Sequence, residues 1–270
     1  MKHVFSKKGP AWVLAVMMAL SLTAALAESQ GTHLDKIVAD QKIVVATSPD
    51  YPPYEFMDMQ GNIVGADIKL AEYIAEKLGV ELVIEALDFD TVLAAVTGGT
   101  VDLGIAGMVP KDERRESMEF SDIYYNDGNQ VIVILKENAD KIKTLADFDG
   151  KTVGAQNGTL QQELVMTQLP GATMEQIVKI PDGIMSVMTK KIDGIALASV
   201  VANQYVANYP DLVICETMFE YEPLGVSIAM PKGETALKEA IDGIVLEIMD
   251  SGIYFEWMEE AVELANSLAQ

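Results

Sequence analysis

Two successive runs of alternating strand and helix patterns constrain the fold of this chain more than any other feature. Across residues 42–108, short apolar strand patterns alternate with amphipathic helix patterns in the order β-α-β-α-β. A second run of the same kind occupies residues 151–209. Because this alternation places crossover helices on the faces of a parallel sheet, it predicts an α/β fold with two lobes.

The first run is predicted to hold strands at 42–47, 80–87 and 101–108 and helices at 67–78 and 90–97. Asp67 is expected to cap the helix that begins there, and Gly79 to end it. After a β-rich segment at 129–135, the second run is predicted to hold strands at 151–156, 176–180 and 192–198 and helices at 159–169, 183–190 and 199–209.

The remaining elements indicate how the two lobes connect. Residues 212–216 and 224–231 are predicted as strands that return toward the first lobe, and helices are predicted at 234–250 and 254–268. We therefore assign lobe 1 to residues 34–126 and 222–270, and lobe 2, inserted into it, to residues 127–221. Two hinge crossings join the lobes.

The N-terminus has the pattern of a secretory signal. Lys2, Lys7 and Lys8 precede an apolar run over residues 11–25, and Ala25-Leu26-Ala27 gives a small-x-small cleavage site. The alternative is a membrane anchor, for which the run is short. We predict a cleaved signal peptide at residues 1–27 and a periplasmic or secreted protein. Without a cysteine near the cut, no lipid anchor is expected.

Composition excludes several function classes. The net charge is −22, from 41 acidic against 19 basic residues, which argues against nucleic acid or anionic lipid as partner. The histidines are His3 and His33 and the one cysteine is Cys215, so the usual base of a hydrolase, a zinc site and an internal disulfide are not expected. No phosphate-binding glycine motif follows a strand. We predict no catalytic residue, no metal and no cofactor.

A charged segment follows the buried-looking strand 101–108. Residues 112–115 are Asp-Glu-Arg-Arg, which is typical of a solvated helix start. The alternative is that one of these arginines points into a cleft, because open α/β sheets bind ligands at the carboxyl ends of their strands. An arginine there can bind a carboxylate through two parallel hydrogen bonds.

Other candidates also follow strand ends. Tyr51 and Phe89 are candidates for exposed aromatic walls, whereas Tyr54 and Phe56 are expected in the core. Residues 157–159 are predicted as a glycine turn before a helix. Either this turn has an ordinary structural role, or the N–H groups at the start of the helix bind an anion.

Six segments, in order along the chain, carry a family resemblance. They are DYPPYEF at 50–56, GADIKLA at 65–71, residues 89–93, residues 107–125 with GMVPKDER and FSDIYY, residues 153–159, and IDG at 192–194. Together they resemble the solute-binding proteins that deliver polar amino acids to ABC importers, the family 3 extracellular solute-binding proteins. The resemblance extends over nearly the whole chain after the signal and implies a two-lobe fold of the type II periplasmic-binding class.

The resemblance implies roles for individual residues. Arg114 matches the arginine that binds the ligand α-carboxylate, and Thr159 matches a residue that helps to hold it. Gly107 matches a position whose carbonyl accepts from the ligand ammonium. Tyr51 and Phe89 match the aromatic walls around the ligand side chain.

Departures from the family pattern at four positions concern the ligand. Val109 and Leu160 stand where the family has hydroxyl residues. Ala198 stands where the family has the acid that pairs with the ligand ammonium. Ser48 replaces the acid of basic-amino-acid binders, which disfavours lysine or arginine as ligand.

The departure at residue 198 leaves three alternatives. The ligand is a carboxylate without a free α-ammonium, or Asp182 or Glu222 supplies the missing acid, or the match at residue 198 is displaced.

The implied function is capture of an amino acid or related small carboxylate for import by an ABC transporter, through hinge closure around the ligand. The expected partners are this small molecule and a membrane permease, and the protein is expected to be a monomer. The alternatives are a dehydratase-like enzyme on the same scaffold and a sensory ligand-binding protein.

Overall fold

The computed structural model describes residues 32–268, so the predicted signal peptide at residues 1–27 lies outside the described part. The strands are, in chain order, β1 Lys42–Thr47, β2 Asp50–Tyr51, β3 Glu55–Met57, β4 Ile63–Val64, β5 Glu81–Ala86, β6 Leu103–Gly104, β7 Met118–Phe120, β8 Gln130–Leu135, β9 Thr152–Gln156, β10 Thr173–Ile177, β11 Gly194–Ala198, β12 Leu212–Met218 and β13 Ala229–Pro231. The α-helices are α1 His33–Asp40, α2 Ala66–Leu78, α3 Phe89–Thr97, α4 Asp112–Ser117, α5 Leu160–Gln168, α6 Ile180–Met188, α7 Ser199–Asn208, α8 Thr235–Ser251 and α9 Ile253–Leu268.

The fold is α/β with two lobes, each built on a five-stranded sheet. In lobe 1 the strand order is β5-β1-β6-β13-β7. Strand β1 pairs in parallel with β5 and β6, as the β-α-β-α-β pattern predicts. Strand β13 comes back from the second lobe and pairs antiparallel with β6 and β7. A small sheet of β2, β3 and β4 lies beside this lobe.

The sheet of lobe 2 has the order β10-β9-β11-β8-β12. Strands β10, β9 and β11 are parallel, whereas β8 and β12 add antiparallel pairs. The expectation that the strand at residues 212–216 returns toward lobe 1 is wrong, because β12 pairs with β8 in the second sheet. The lobe boundaries assigned from the sequence remain a prediction.

Two predicted elements have different bounds for local reasons. The strand expected at 101–108 pairs only through β6, because the chain turns away at Gly107, whose φ of 52° is not an extended conformation. The strand expected at 176–180 ends at Ile177, because Pro181 lies in the first turn of α6.

Asp67 does not cap α2, contrary to the sequence prediction. The N-cap is Gly65, and Asp67 is turned inward and fully buried. Its carboxylate accepts hydrogen bonds from the Gly107 N–H at 2.8 Å, the Tyr124 hydroxyl at 2.9 Å and the Tyr254 hydroxyl at 2.6 Å. These donors stabilise the carboxylate inside the lobe and connect α2 to the loop after β6 and to α9.

Apolar side chains from the sheets and helices fill the interior of both lobes, which is what two facing layers of secondary structure require. Tyr54 and Phe56 are buried, as expected. Cys215 is a buried free cysteine whose thiol donates to the carbonyl of Ile142. None of the helices within residues 32–268 combines the length and the apolar character needed to cross a membrane.

Candidate ligand-binding site

A pocket lies between the lobes, where the residues after β1 and β6 face the end of β9 and the start of α5. The lining residues come from both lobes: Ser48, Asp50, Tyr51, Glu55, Phe89, Ala106, Gly107, Val109, Arg114, Gln156, Thr159, Leu160 and Gln161. The space between them is about 360 Å³, with its open mouth included.

Arg114 is the cation of this pocket. The residue is 7% exposed, and its guanidinium donates to the carbonyls of Val109 and Gly158, both at 2.7 Å. It also lies 5.4 Å from the centroid of the Phe89 ring. Within residues 32–268 no carboxylate forms an ion pair with it. Burial lowers the pKa of Arg114 to about 10, because the charged form loses hydration.

Two backbone carbonyls neutralise little of this charge, so the pocket presents a buried cation. A guanidinium has five N–H donors, and the two carbonyls use only part of them. A carboxylate placed against the remaining donors would supply both the missing charge and the missing acceptors.

The aromatic walls are Phe89 and Tyr51. Phe89 begins α3 and is buried against the guanidinium. Tyr51 stacks on Tyr54, with ring centroids 5.9 Å apart, and its hydroxyl accepts from the Ala198 N–H at 3.2 Å and from the side-chain amide of Gln161 at 3.3 Å. Tyr51 therefore connects the lobes as well as lining the pocket.

The loop after β6 brings Gly107 and Val109 to the pocket. A Cβ at residue 107 would lie 3.4 Å from the Tyr51 ring and 3.5 Å from Tyr54, and the residue has a φ of 52°. The positive φ favours glycine there, whereas the two aromatic rings would be in ordinary van der Waals contact with a Cβ. Val109 contributes an apolar side chain, and its carbonyl accepts from Arg114.

Thr159 is the N-cap of α5. Its hydroxyl accepts from the Gln162 N–H at 3.2 Å and donates to the Gln156 carbonyl at 2.6 Å. The adjacent Gly158 has a φ of 74°, which turns the chain from β9 into the helix. The helix N-terminus therefore lies in the pocket wall, where its positive end favours an anion near Arg114.

Asp50 bonds across the cleft. One carboxylate oxygen accepts from the Gln156 side-chain amide at 3.0 Å and from the Ile180 N–H at 2.9 Å, both in lobe 2. The other oxygen accepts from Ser48 in its own lobe. Together with the Arg114 and Tyr51 contacts, these bonds hold the lobes in a closed arrangement.

Glu55 is the second acid of the lining and is fully buried. No described donor makes a hydrogen bond to either carboxyl oxygen. Burial, followed by the nearby charge of Asp67, holds the pKa of Glu55 well above its usual range.

All six residues selected from the sequence lie together in this pocket: Arg114, Tyr51, Phe89, Gly107, Thr159 and Val109. Asp182 and Glu222, offered as substitutes for the acid missing at Ala198, are exposed and do not line it. Sequence reasoning missed four polar lining residues: Asp50, Glu55, Gln156 and Gln161. Asp50 and Glu55 flank the segment Tyr-Pro-Pro-Tyr at residues 51–54. Their position on either side of a candidate wall residue is the sequence pattern that could have indicated them.

Comparison with known proteins identifies the family to which the chain is similar. The family model described as "Bacterial extracellular solute-binding proteins, family 3" matches residues 43–261. A similar curated relative is "Arginine-binding extracellular protein ArtP" of Bacillus subtilis, 32% identical over 251 residues, covering 91% of this chain and 94% of the relative. "ABC transporter arginine-binding protein 1" of Escherichia coli is 29% identical over 219 residues, covering 80% of this chain and 88% of the relative.

Solved structures agree in fold. The amino acid ABC transporter substrate-binding protein AbpA from Streptococcus pneumoniae, bound to L-arginine, is similar with a TM-score of 0.83 and 32% identity, covering 86% of this chain and 98% of that one. The P235GK mutant of ArgBP from T. maritima has a TM-score of 0.79 and 35% identity, covering 85% of this chain and 99% of that one.

Proposed function

Because the chain belongs to the bacterial extracellular solute-binding proteins of family 3, we propose how its interlobe pocket performs the capture of solute. The protein captures an amino acid or related small carboxylate for import by an ABC transporter. The proposal is that Arg114 binds the carboxylate of this solute in the pocket between the lobes.

One observation carries the proposal: Arg114 is a buried cation that has no carboxylate partner within residues 32–268. A buried charge without a partner is unfavourable, so such a group in a pocket is typically completed by a ligand of opposite charge. The N-terminus of α5 at Thr159 faces the same space and favours the same charge.

Capture requires the lobes to open, admit the solute and close. In the open form Arg114 and Phe89 would be accessible on lobe 1. Closure adds Thr159 and the start of α5 from lobe 2, together with the interlobe bonds of Asp50 and Tyr51. The closed surface is then presented to the permease. No bond of the solute is made or broken, and the signal at residues 1–27 directs export.

The proposal is tested by native mass spectrometry of the purified protein, followed by thermal-shift screening with amino acids and small carboxylates. Bound solute stabilises the folded form by mass action, about 2.7 kcal/mol at a hundredfold excess over the dissociation constant. A carboxylate that co-purifies and raises the melting temperature supports the proposal. Stabilisation only by solutes that carry no carboxylate contradicts it.

A further inference from the structure

The charges around the pocket limit the charge of its solute. Arg114 is the one cationic side chain of the described lining, and Asp50 and Glu55 are its acids. A free amino acid brings both a carboxylate and an ammonium group. Arg114 can pair with the carboxylate, so the question is which acid could pair with the ammonium.

Asp50 is engaged in the bonds that close the lobes. Its two oxygens accept from three donors, Ser48 in its own lobe and Gln156 and Ile180 across the cleft. An ammonium that took these acceptors would compete with the bonds that close the lobes. Asp50 is therefore a closure residue rather than a free counter-charge.

Glu55 is held in its neutral form by its position. It is fully buried and lies near Asp67, whose carboxylate accepts hydrogen bonds from three donors. Ionising Glu55 would place a second anion beside the first in the interior. A neutral carboxyl offers hydrogen bonds to an uncharged polar group but no counter-charge to an ammonium.

The other side chains of the described lining add no further acid, since Ser48, Tyr51 and Thr159 carry only hydroxyls and Gln156 and Gln161 only amides. The apolar lining residues are Phe89, Ala106, Gly107, Val109 and Leu160. Ala198, the last residue of β11, is not part of the lining. Its N–H donates to the hydroxyl of Tyr51, which is.

Asp127 is also near but does not line the pocket. It is reached only through a chain of amides: Gln161 donates to Gln130, and Gln130 donates to Asp127. An ammonium next to the Arg114-bound carboxylate would therefore find no acid of the described lining free to pair with it, which is unfavourable for a buried charge.

We propose that the pocket takes a small carboxylate with no ammonium group beside the carboxylate, such as a 2-oxo acid, a 2-hydroxy acid or an N-acylated amino acid. The inference rests on the proposed function, because it requires that Arg114 binds the carboxylate. It goes further in naming the group that the solute lacks.

Matched compounds with the same side chain test this inference. L-Alanine, L-leucine, L-phenylalanine and L-arginine are each compared with their 2-oxo, 2-hydroxy and N-acetyl counterparts by calorimetry at neutral pH. The full chain is used after unfolding and refolding to remove co-purified solute. For the side chain that fits best, the form without the ammonium is expected to bind at least about tenfold more tightly than the amino acid.

The substitution Ala198→Asp complements this comparison, because it is expected to give the protein a gain in amino-acid binding. It adds a carboxylate next to Tyr51, so it is expected to improve amino-acid binding and weaken binding of the ammonium-free form, each by about tenfold. If this variant does not fold, the wild-type comparison alone decides the question.

The failures of the two proposals are distinguishable. Equal or tighter binding of the amino acid, with loss of binding in Arg114→Ala, overturns the inference and keeps the proposed function. Tight binding that survives Arg114→Ala overturns both. If no carboxylate of any kind binds or co-purifies, the proposed function fails and the inference fails with it.

Discussion

Asp50 in lobe 1 and Gln156 in lobe 2 are joined by a hydrogen bond of 3.0 Å between residues 106 positions apart in the chain. The same carboxylate oxygen also accepts from the Ile180 N–H at 2.9 Å. One acid thus joins the end of β9 and the start of α6 to lobe 1. The closed arrangement depends on bonds between protein groups as well as on any solute.

Removal of this acid is expected to favour the open form. In Asp50→Ala, the Ile180 N–H loses its acceptor in the closed form and the Gln156 amide keeps only the Val178 carbonyl, whereas both groups are hydrated in the open form. We expect about tenfold weaker solute binding, ~1.4 kcal/mol, and a larger radius of gyration in small-angle scattering. Asp58→Ala is the control, because Asp58 bonds only within its exposed turn. An unchanged radius and affinity in Asp50→Ala would contradict this role.

Gly158 and Gly150 form a matched pair for testing closure. Both have a φ of 74°, but a Cβ at Gly158 would lie 3.1 Å from Leu93 across the cleft, whereas one at Gly150 meets nothing within 4 Å. Alanine at either position is expected to lower the free energy of unfolding by about 1–2 kcal/mol through backbone strain. Only Gly158→Ala should also weaken solute binding, by several-fold. Equal effects on binding in calorimetry would show that Leu93 is not a closure contact.

Asp127 is expected to make stability depend on pH. Burial raises its pKa from 3.8 to about 6 despite a hydrogen bond from Gln130. Between about pH 4 and pH 6 the folded protein therefore holds a proton that the unfolded chain has lost, so stability falls as pH rises. At pH values above this window, the shift in the pKa of Asp127 lowers the free energy of unfolding by about 3 kcal/mol.

The isosteric variant Asp127→Asn removes this proton. We expect it to be more stable than the wild type at pH values above the window and to lose that advantage toward the acidic end, as measured by urea unfolding. A stability difference that does not change with pH would rule out Asp127 as the titrating group.

The sequence was sufficient for the parts of the fold that depend on local patterns. The strands β1 and β9 follow from apolar runs, and the start of a helix at Thr159 follows from the glycine turn before it. The position after a buried strand, where α/β sheets bind ligands, indicated one of the two arginines at residues 114 and 115, and the family resemblance selected Arg114.

The missed features depend on contacts between distant residues. Asp67 has the position of a helix cap in the sequence, yet its donors Tyr124 and Tyr254 lie 57 and 187 residues away. Asp50 lies in a turn-rich segment, where acids are ordinarily solvated. Only the approach of lobe 2 makes it an interlobe acceptor, which no local pattern indicates. Strand β12 was misplaced because its pairing with β8 is equally nonlocal.

The most direct test of the central claim compares two adjacent arginines. Arg114 is buried in the pocket, whereas Arg115 is exposed, donates to the Pro110 carbonyl and lies outside the lining. Calorimetry is performed on Arg114→Ala and Arg115→Ala with the carboxylate that binds most tightly in the matched panel. We predict at least about tenfold weaker binding in Arg114→Ala, ~1.4 kcal/mol or more, and wild-type affinity in Arg115→Ala. Wild-type affinity in Arg114→Ala would contradict the account.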